Sequence, residues 1–209
     1  MWVLAVQSYD HRMPVVQPVI AAFILAGGKS TRMGTDKAFI SLDGHTLLAR
    51  ALDCIRAVTS DVRIVGDRKK FAAFAPVVED IFPGCGPLGG IHAALRSSTT
   101  DLNFILAVDV PFVTPALIHF LIDRAESSKS IVTVPSAGHG LQPLCAVYRH
   151  EFAPLAEKAL NENRYKIDVL FDPTTTRVIP ERDLQDAGFP PSMFRNLNTP
   201  EDLSEKSHQ

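Results

Sequence analysis

Apolar residues have the spacing of strands in some segments of the chain and the spacing of helices in others, and the alternation of these segments predicts an α/β fold. Short apolar runs typical of buried strands occur at residues 19–25, 62–65 and 104–108. A stretch with helical spacing follows Thr46, which can cap its N-terminus, with apolar residues at positions 47, 48, 51, 52, 55 and 58. Strands that alternate with helices in this way predict a mostly parallel sheet with helices on both faces.

The rest of the chain continues the same order of elements. A loop rich in glycine and proline is expected over residues 82–90, and Thr114-Pro115 has the cap and first-turn proline of a helix start. The remaining predicted strands are residues 38–42, 76–78, 131–134 and 144–148, and the remaining predicted helices are residues 69–74, 90–97, 114–126 and 151–161. No long linker divides the chain. We therefore expect one Rossmann-like α/β domain over residues 19–209, preceded by a poorly ordered leader over residues 1–18.

Charge and cysteine content narrow the class of protein. The formal net charge of the 209-residue chain is −2, whereas a nucleic-acid-binding protein should carry a basic excess. No apolar run approaches the roughly 18–20 residues that cross a bilayer. Cys54, Cys85 and Cys145 are far apart and have no metal-ligand spacing, which suits a reducing compartment. We expect a cytoplasmic protein with no nucleic-acid or membrane partner.

A segment suited to phosphate binding directly follows the first predicted strand. Residues 25–37 read LAGGKSTRMGTDK, and the backbone of Gly27 and Gly28 can approach an anion closely because glycine has no Cβ. Arg32 and Lys37 can neutralise phosphate charge. The Walker A pattern is excluded because position 23, where it needs glycine, is Phe23.

Carboxylates follow several of the predicted strands. Asp67, Asp80 and Asp109 each stand at or just after a strand end, and ligands of open parallel sheets bind beyond those ends. Mg²⁺ prefers one or two carboxylates together with phosphate oxygens, so Asp109 is a candidate magnesium ligand. Asp109 could instead cap the turn that leads to Pro111, and Asp67 could lie in a surface turn.

Taken together, five segments resemble the molybdenum cofactor guanylyltransferase family over roughly residues 20–204. The phosphate segment matches LAGG-x-S-x-RMG-x-DK. The others are the ED…GPL-x-G pattern from Glu79, DVPF from Asp109, QPLCAVY from Gln142 and NLNTPEDL from Asn196. An aspartate at position 67 departs from the asparagine that is frequent in the family.

The resemblance implies that this Rossmann-like domain is a nucleotidyltransferase. It would transfer GMP from GTP to the terminal phosphate of molybdenum-molybdopterin, with Mg²⁺ as cofactor and pyrophosphate as second product. It also implies protein partners that insert molybdenum and mature molybdoenzymes. The nucleotide-binding residues would be Leu25, Ala26, Gly27, Gly28, Lys37, Asp67, Asp80 and Asp109, the last also binding the metal. The catalytic residues would be Arg32, Lys37 and Asp109, and the acceptor-binding residues Gln142, Asn196 and Asn198.

Two other functions remain open at this point. A cytidylyl- or sugar-phosphate nucleotidyltransferase could use the same phosphate segment and the same dependence on Asp109. A nucleotide-binding protein without turnover could serve as a partner in molybdoenzyme maturation. The asparagines of the C-terminal motif could contact the acceptor, or Asn198 could cap the last helix.

Overall fold

One large sheet organises the part of the chain that the computed structural model describes, which is residues 20–27, 36–138 and 140–197. The sheet has eight strands in the order β10-β7-β9-β6-β1-β4-β5, with β8 paired to β7. Its strands are β1 (Ile20–Leu25), β4 (Val62–Val65), β5 (Val77–Val78), β6 (Leu102–Ala107), β7 (Val132–Ala137), β8 (Gly140–Leu141), β9 (Cys145–Arg149) and β10 (Thr176–Ile179). A separate hairpin joins β2 (Ser41–Leu42) to β3 (His45–Thr46).

Helices cover both faces of this sheet. They are α1 (Leu47–Arg56), α2 (Arg68–Phe71), α3 (Gly86–Ser97), α4 (Pro115–Glu126), α5 (Phe152–Asn161) and α6 (Glu181–Asp186). Strand β1 shows how the layers form, since its side chains alternate between faces. Ile24 packs in the core with α1 and α4, whereas Phe23 packs in the core with α3 and α5. The predicted α/β architecture with a mostly parallel sheet is confirmed.

The register of the central strands sets the position of the site. Strand β1 runs parallel to β4 on one side and to β6 on the other. Leu25 pairs with Val65 and also with Ala107, so all three strands end at the same level. The residues that follow these strands therefore meet at one edge of the sheet.

Strand β9 interrupts the parallel order. It lies between β6 and β7 and is antiparallel to both of them. Its chain direction brings the segment before it, residues 142–144, to the edge where β6 ends, and the amide of Ala107 donates to the carbonyl of Leu144 at 2.8 Å. Strand β9 thus places residues 142–144 at the same edge of the sheet as the ends of β1, β4 and β6.

Two local predictions are wrong. Residues 38–42 do not form one strand, because Asp36 caps a 3-10 helix over Lys37–Phe39 and only Ser41–Leu42 is extended. The helix predicted from residue 90 begins four residues earlier, at Gly86, with Pro87 in its first turn. A proline fits this turn because the N–H that it lacks has no partner within the helix.

None of the helices in the described ranges is long and apolar enough to cross a membrane.

Candidate active site

A cleft of about 520 Å³ opens at the carboxyl ends of β1, β4 and β5, against the start of α3. Five of the predicted nucleotide-binding residues line it, namely Leu25, Ala26, Gly27, Asp67 and Asp80. The strand register explains this convergence, because strands that end at one level place their following residues side by side. These predicted residues therefore share one cleft.

Two glycines of the cleft wall, Gly66 and Gly90, lie so close to their neighbours that a larger residue would need those neighbours to move. A Cβ at Gly66 would lie 2.9 Å from Cε2 of Phe71, which is closer than real Cβ contacts. A Cβ at Gly90 would lie 3.3 Å from Cδ2 of Leu25, so α3 packs tightly on β1 at this point. Gly86 adopts a positive φ of 68° where the chain enters α3. The shape of the cleft therefore depends on these close approaches.

The two carboxylates after β4 and β5 differ in their surroundings. Asp67 caps α2, where its side chain accepts a hydrogen bond from the amide of Lys69 at 2.8 Å. Asp80 has no hydrogen-bond or ion-pair partner among the described residues, and partial removal from water raises the pKa of its carboxyl. Asp67 thus caps a helix and also lines the cleft, whereas the carboxylate of Asp80 remains available to a ligand.

An ion pair in the cleft involves two residues to which the sequence assigned no role. The ammonium of Lys70, at the end of α2, lies 2.8 Å from Oδ2 of Asp36. The same aspartate accepts a hydrogen bond from the amide of Ala38 through Oδ1. Asp36 belongs to the phosphate segment, so the sequence motif could have identified it as a site residue. Lys70 follows another lysine, and the sequence does not reveal which of the two faces the cleft.

A second ion pair marks the end of β6. Oδ2 of Asp109 accepts from the Nζ of Lys37 at 3.0 Å, and the two side chains are 22% and 23% exposed. This ion pair gives the carboxylate a partner outside the turn that contains Pro111. The carboxylate points instead toward the end of the phosphate segment.

The donor set at Asp109 fits magnesium. The described residues contain no cluster of three or more metal-ligating side chains. Mg²⁺ in nucleotide sites commonly takes one or two carboxylates and completes its shell with phosphate oxygens and water. One half-buried carboxylate beside the phosphate segment supplies that kind of ligand.

Two of the predicted acceptor residues, Gln142 and Asn196, lie on segments that reach the same strand end. The amide of Leu197 donates to the carbonyl of Asp109 at 2.9 Å, which brings the exposed Asn196 beside the Asp109 turn. Gln142 lies on the segment that contacts the end of β6, but its amide nitrogen donates to the carbonyls of Ala137 and Gly140. Gln142 therefore has a structural role in the β7–β8 hairpin.

Several predicted positions fall outside the described residues. These are Gly28 and Arg32 of the phosphate segment, Asn198 of the C-terminal motif, and the leader over residues 1–18.

Comparison with known proteins agrees with this geometry. The sequence model for the MobA-like NTP transferase domain matches residues 22–172, which include most of β1, the cleft and Asp109. The chain belongs to the MobA-like NTP transferase family. It is a nucleotidyltransferase, and the resemblance drawn from the sequence is confirmed.

Similar members of the MobA-like NTP transferase family match nearly the whole chain. A molybdenum cofactor guanylyltransferase from Desulfosudis oleivorans is 35% identical over 187 residues, covering 88% of this chain and 92% of that protein. One from Vibrio cholerae is 34% identical over 198 residues, covering 92% and 94%. The crystal structure of molybdopterin-guanine dinucleotide biosynthesis protein A from Archaeoglobus fulgidus has a TM-score of 0.77 at 27% identity, covering 88% and 95%.

Proposed function

We propose that this nucleotidyltransferase transfers GMP from GTP to the terminal phosphate of molybdenum-molybdopterin, giving molybdopterin guanine dinucleotide and pyrophosphate. The similar proteins are named molybdenum cofactor guanylyltransferases, which supports this choice of substrates. The observation that carries the proposal is the common level at which β1, β4 and β6 end. That register aligns the cleft with the Lys37–Asp109 pair along one edge, over which a nucleotide can lie extended.

The base would occupy the cleft beyond β4 and β5. Guanine presents adjacent N1–H and N2–H₂ donors, and an ionised carboxylate accepts two such hydrogen bonds at once. Asp80 has the required acceptor atoms without a competing partner among the described residues, and Asp67 lies beside it in the cleft. These carboxylates favour a base that offers hydrogen-bond donors.

The triphosphate would lie toward the phosphate segment. Lys37 supplies positive charge there, and Gly27 offers backbone that an anion can approach closely. Arg32 remains a predicted third contributor. Asp109 would hold Mg²⁺ together with phosphate oxygens, and the ion, when bound, offsets negative charge that develops during transfer.

The reaction needs positioning more than covalent chemistry from the protein. An oxygen of the acceptor's terminal phosphate attacks the α-phosphorus in line, forming one P–O bond. The P–O bond to the β-phosphate breaks, and pyrophosphate leaves with the electron pair. Lys37 would stabilise the charge on the phosphates, as cationic side chains do in other phosphoryl-transfer enzymes.

The acceptor would approach from the side of β9. Residues 142–144 and Asn196 lie on segments that bond to the end of β6, and this placement supports an acceptor site there. We extend the proposal to a cytoplasmic location, supported by the separated cysteines, and to contact with proteins that insert molybdenum and mature molybdoenzymes.

Calorimetric titration of GTP, CTP and ATP, each with and without Mg²⁺, tests the nucleotide half of this proposal. We expect selective GTP binding that strengthens with Mg²⁺. Incubation with GTP and molybdenum-molybdopterin should then yield the dinucleotide and one equivalent of pyrophosphate. Selective CTP binding would move the enzyme to cytidylyl transfer, and binding of GTP without transfer would contradict the proposed acceptor.

A further inference from the structure

The described residues of the cleft include one basic side chain, that of Lys70, to which the proposed reaction assigns no role. Lys70 lines the cleft at the end of α2, and its Nζ lies 2.8 Å from Oδ2 of Asp36. The neighbouring Lys69 is exposed and does not line the cleft. Two adjacent lysines on one short helix therefore have different environments, and only one faces the space that a nucleotide would fill.

The charges around the cleft do not suit a polyanion as they stand. Among its described lining residues, Asp36, Asp67 and Asp80 are acidic and Lys70 is basic. A nucleoside triphosphate brings further negative charge, so its phosphates need cations close at hand. Lys70 already carries that charge, and its pKa is raised further by the hydrogen bond to Asp36.

A purely structural role explains the Lys70–Asp36 pair poorly. The side chain of Lys70 is 51% exposed and that of Asp36 is 23% exposed, and ion pairs that reach water typically contribute about 1 kcal/mol or less to folding. Asp36 has its own anchor, because Oδ1 accepts from the amide of Ala38. The helix that carries Lys70 is capped by Asp67. Both ends of the pair are thus held in place independently of it.

We propose that Lys70 binds a phosphate group of the nucleoside triphosphate, exchanging the carboxylate of Asp36 for phosphate oxygens. The inference rests on the proposed function, in that the ligand is a nucleoside triphosphate. The position of the pair indicates that the group bound by Lys70 is a phosphate. Asp36 directly precedes Lys37 and therefore lies at the phosphate end of the site. The exchange replaces one charge-assisted hydrogen bond with another, so it requires no large rearrangement.

The test compares Lys70→Met with Lys69→Met, which removes the same charge one residue away and outside the cleft. Calorimetry should show GTP binding weakened about tenfold or more by Lys70→Met, as expected for loss of a hydrogen bond to a charged group. Lys69→Met should weaken it less than about twofold, because exposed charges at a distance are screened. Lys70→Arg should retain most of the affinity.

The ligand series identifies the group that Lys70 contacts. Binding of guanosine, which has no phosphate, should be the same in the wild type and Lys70→Met. An equal loss for guanosine and GTP, or no loss for GTP, would overturn the inference. If Lys70 acted only by holding Asp36, its substitution would have no effect in an Asp36→Asn background. We expect the loss of GTP affinity to persist there.

This inference and the proposed function fail in different ways. Wild-type protein that binds CTP or ATP in place of GTP would contradict the proposed substrate, and the Lys70 comparison would then be made with the nucleotide that binds. Wild-type binding of GTP with an unaffected Lys70→Met variant would leave the proposed function standing and reject the role of Lys70. If wild-type protein binds none of the three triphosphates, both are rejected.

Discussion

The ammonium of Lys37 and the carboxylate of Asp109 are 3.0 Å apart although 72 positions separate them in the chain. Lys37 comes from the end of the phosphate segment, whereas Asp109 follows β6. Their pairing joins the two parts of the site that would act on the reacting phosphates. It also keeps the Asp109 carboxylate compensated in a half-buried position, where an unpaired charge is costly.

Substitution of Asp109 by asparagine should abolish most turnover while preserving the fold. The amide has a similar shape but cannot hold a divalent cation as a carboxylate does, so we expect kcat to fall about 10²–10³-fold, the scale of losing one transition-state contact. Pyrophosphate release at saturating GTP and Mg²⁺ measures the effect. Asp53→Asn, an exposed change on α1, is the matched control. Near-normal turnover in Asp109→Asn would rule out the metal assignment.

The two glycines after β1 and β4 should respond differently to alanine. A Cβ at Gly66 would lie 2.9 Å from the Phe71 ring, whereas a Cβ at Gly27 has no described neighbour closer than 3.8 Å. Gly66→Ala should lower the free energy of unfolding by about 1–3 kcal/mol, as overpacking does. Gly27→Ala should change it by less than about 1 kcal/mol. Urea denaturation followed by circular dichroism compares them, and equal stability would show that Phe71 moves aside freely.

Thiol labelling should report occupancy of the cleft. Cys85 is partly exposed and stands between Gly84 and Gly86, which line the cleft, whereas Cys145 is buried. Burial raises the pKa of Cys54 to about 11 and raises that of Cys145 as well, so neither forms thiolate readily at pH 8. Iodoacetamide should therefore modify Cys85 first, as read by peptide mass spectrometry.

Added GTP with Mg²⁺ should slow this modification of Cys85, because a ligand in the cleft blocks access to the loop. Inorganic sulfate at the same ionic strength is the control for charge screening. Unchanged labelling at saturating GTP would mean that the nucleotide leaves this side of the cleft open.

Stability should fall as the pH drops below neutrality because of His92. This histidine is buried on α3, and burial lowers its pKa from the ordinary 6.5 even though the nearby Glu157 acts in the opposite direction and Arg96 adds to the lowering. The unfolded chain therefore binds a proton more readily than the folded one, and the free energy of unfolding decreases as the pH falls through 6.5 and below.

Thermal unfolding between pH 7.5 and 5 measures this linkage. The decrease should be smaller in His92→Gln, which cannot take up a proton, so the difference between variant and wild type should shrink toward low pH. Parallel curves for the two proteins would assign the acid sensitivity to other groups.

Local signals in the sequence located most elements because they depend on neighbouring residues alone. Thr46 and Thr114 were expected to cap helices, and each accepts a hydrogen bond from the amide three residues later. The start of α3 was missed because its glycines resemble a loop. They are tolerated in the helix since a Cβ at Gly89 would lie 3.0 Å from the carbonyl of Phe82, and Gly90 packs against Leu25. Such reasons appear only after packing.

The sequence predicts those residues of the candidate site that come just after a strand. Asp67, Asp80 and Asp109 follow strands, and their common edge follows from the parallel fold. The partner of Asp109 could not be derived, because contact between residues 72 positions apart depends on strand order. The hydrogen bonds of Gln142 within the hairpin could not be predicted either. The cleft position of Lys70 could not be predicted because Lys69 and Lys70 are residues of the same type and differ only in the direction they face.

The antiparallel strand β9 has a consequence for how this enzyme could diverge. It separates the parallel strands β6, β1, β4 and β5, which carry the cleft and Asp109, from β7 and β10 on the other flank. If the base lies in the cleft as proposed, mutations beyond β4 and β5 would alter the preferred base without touching the residues that would meet the acceptor, and the reverse would also hold. The two substrate preferences would then be inherited and changed separately, while the strand end at Asp109 stayed fixed between them.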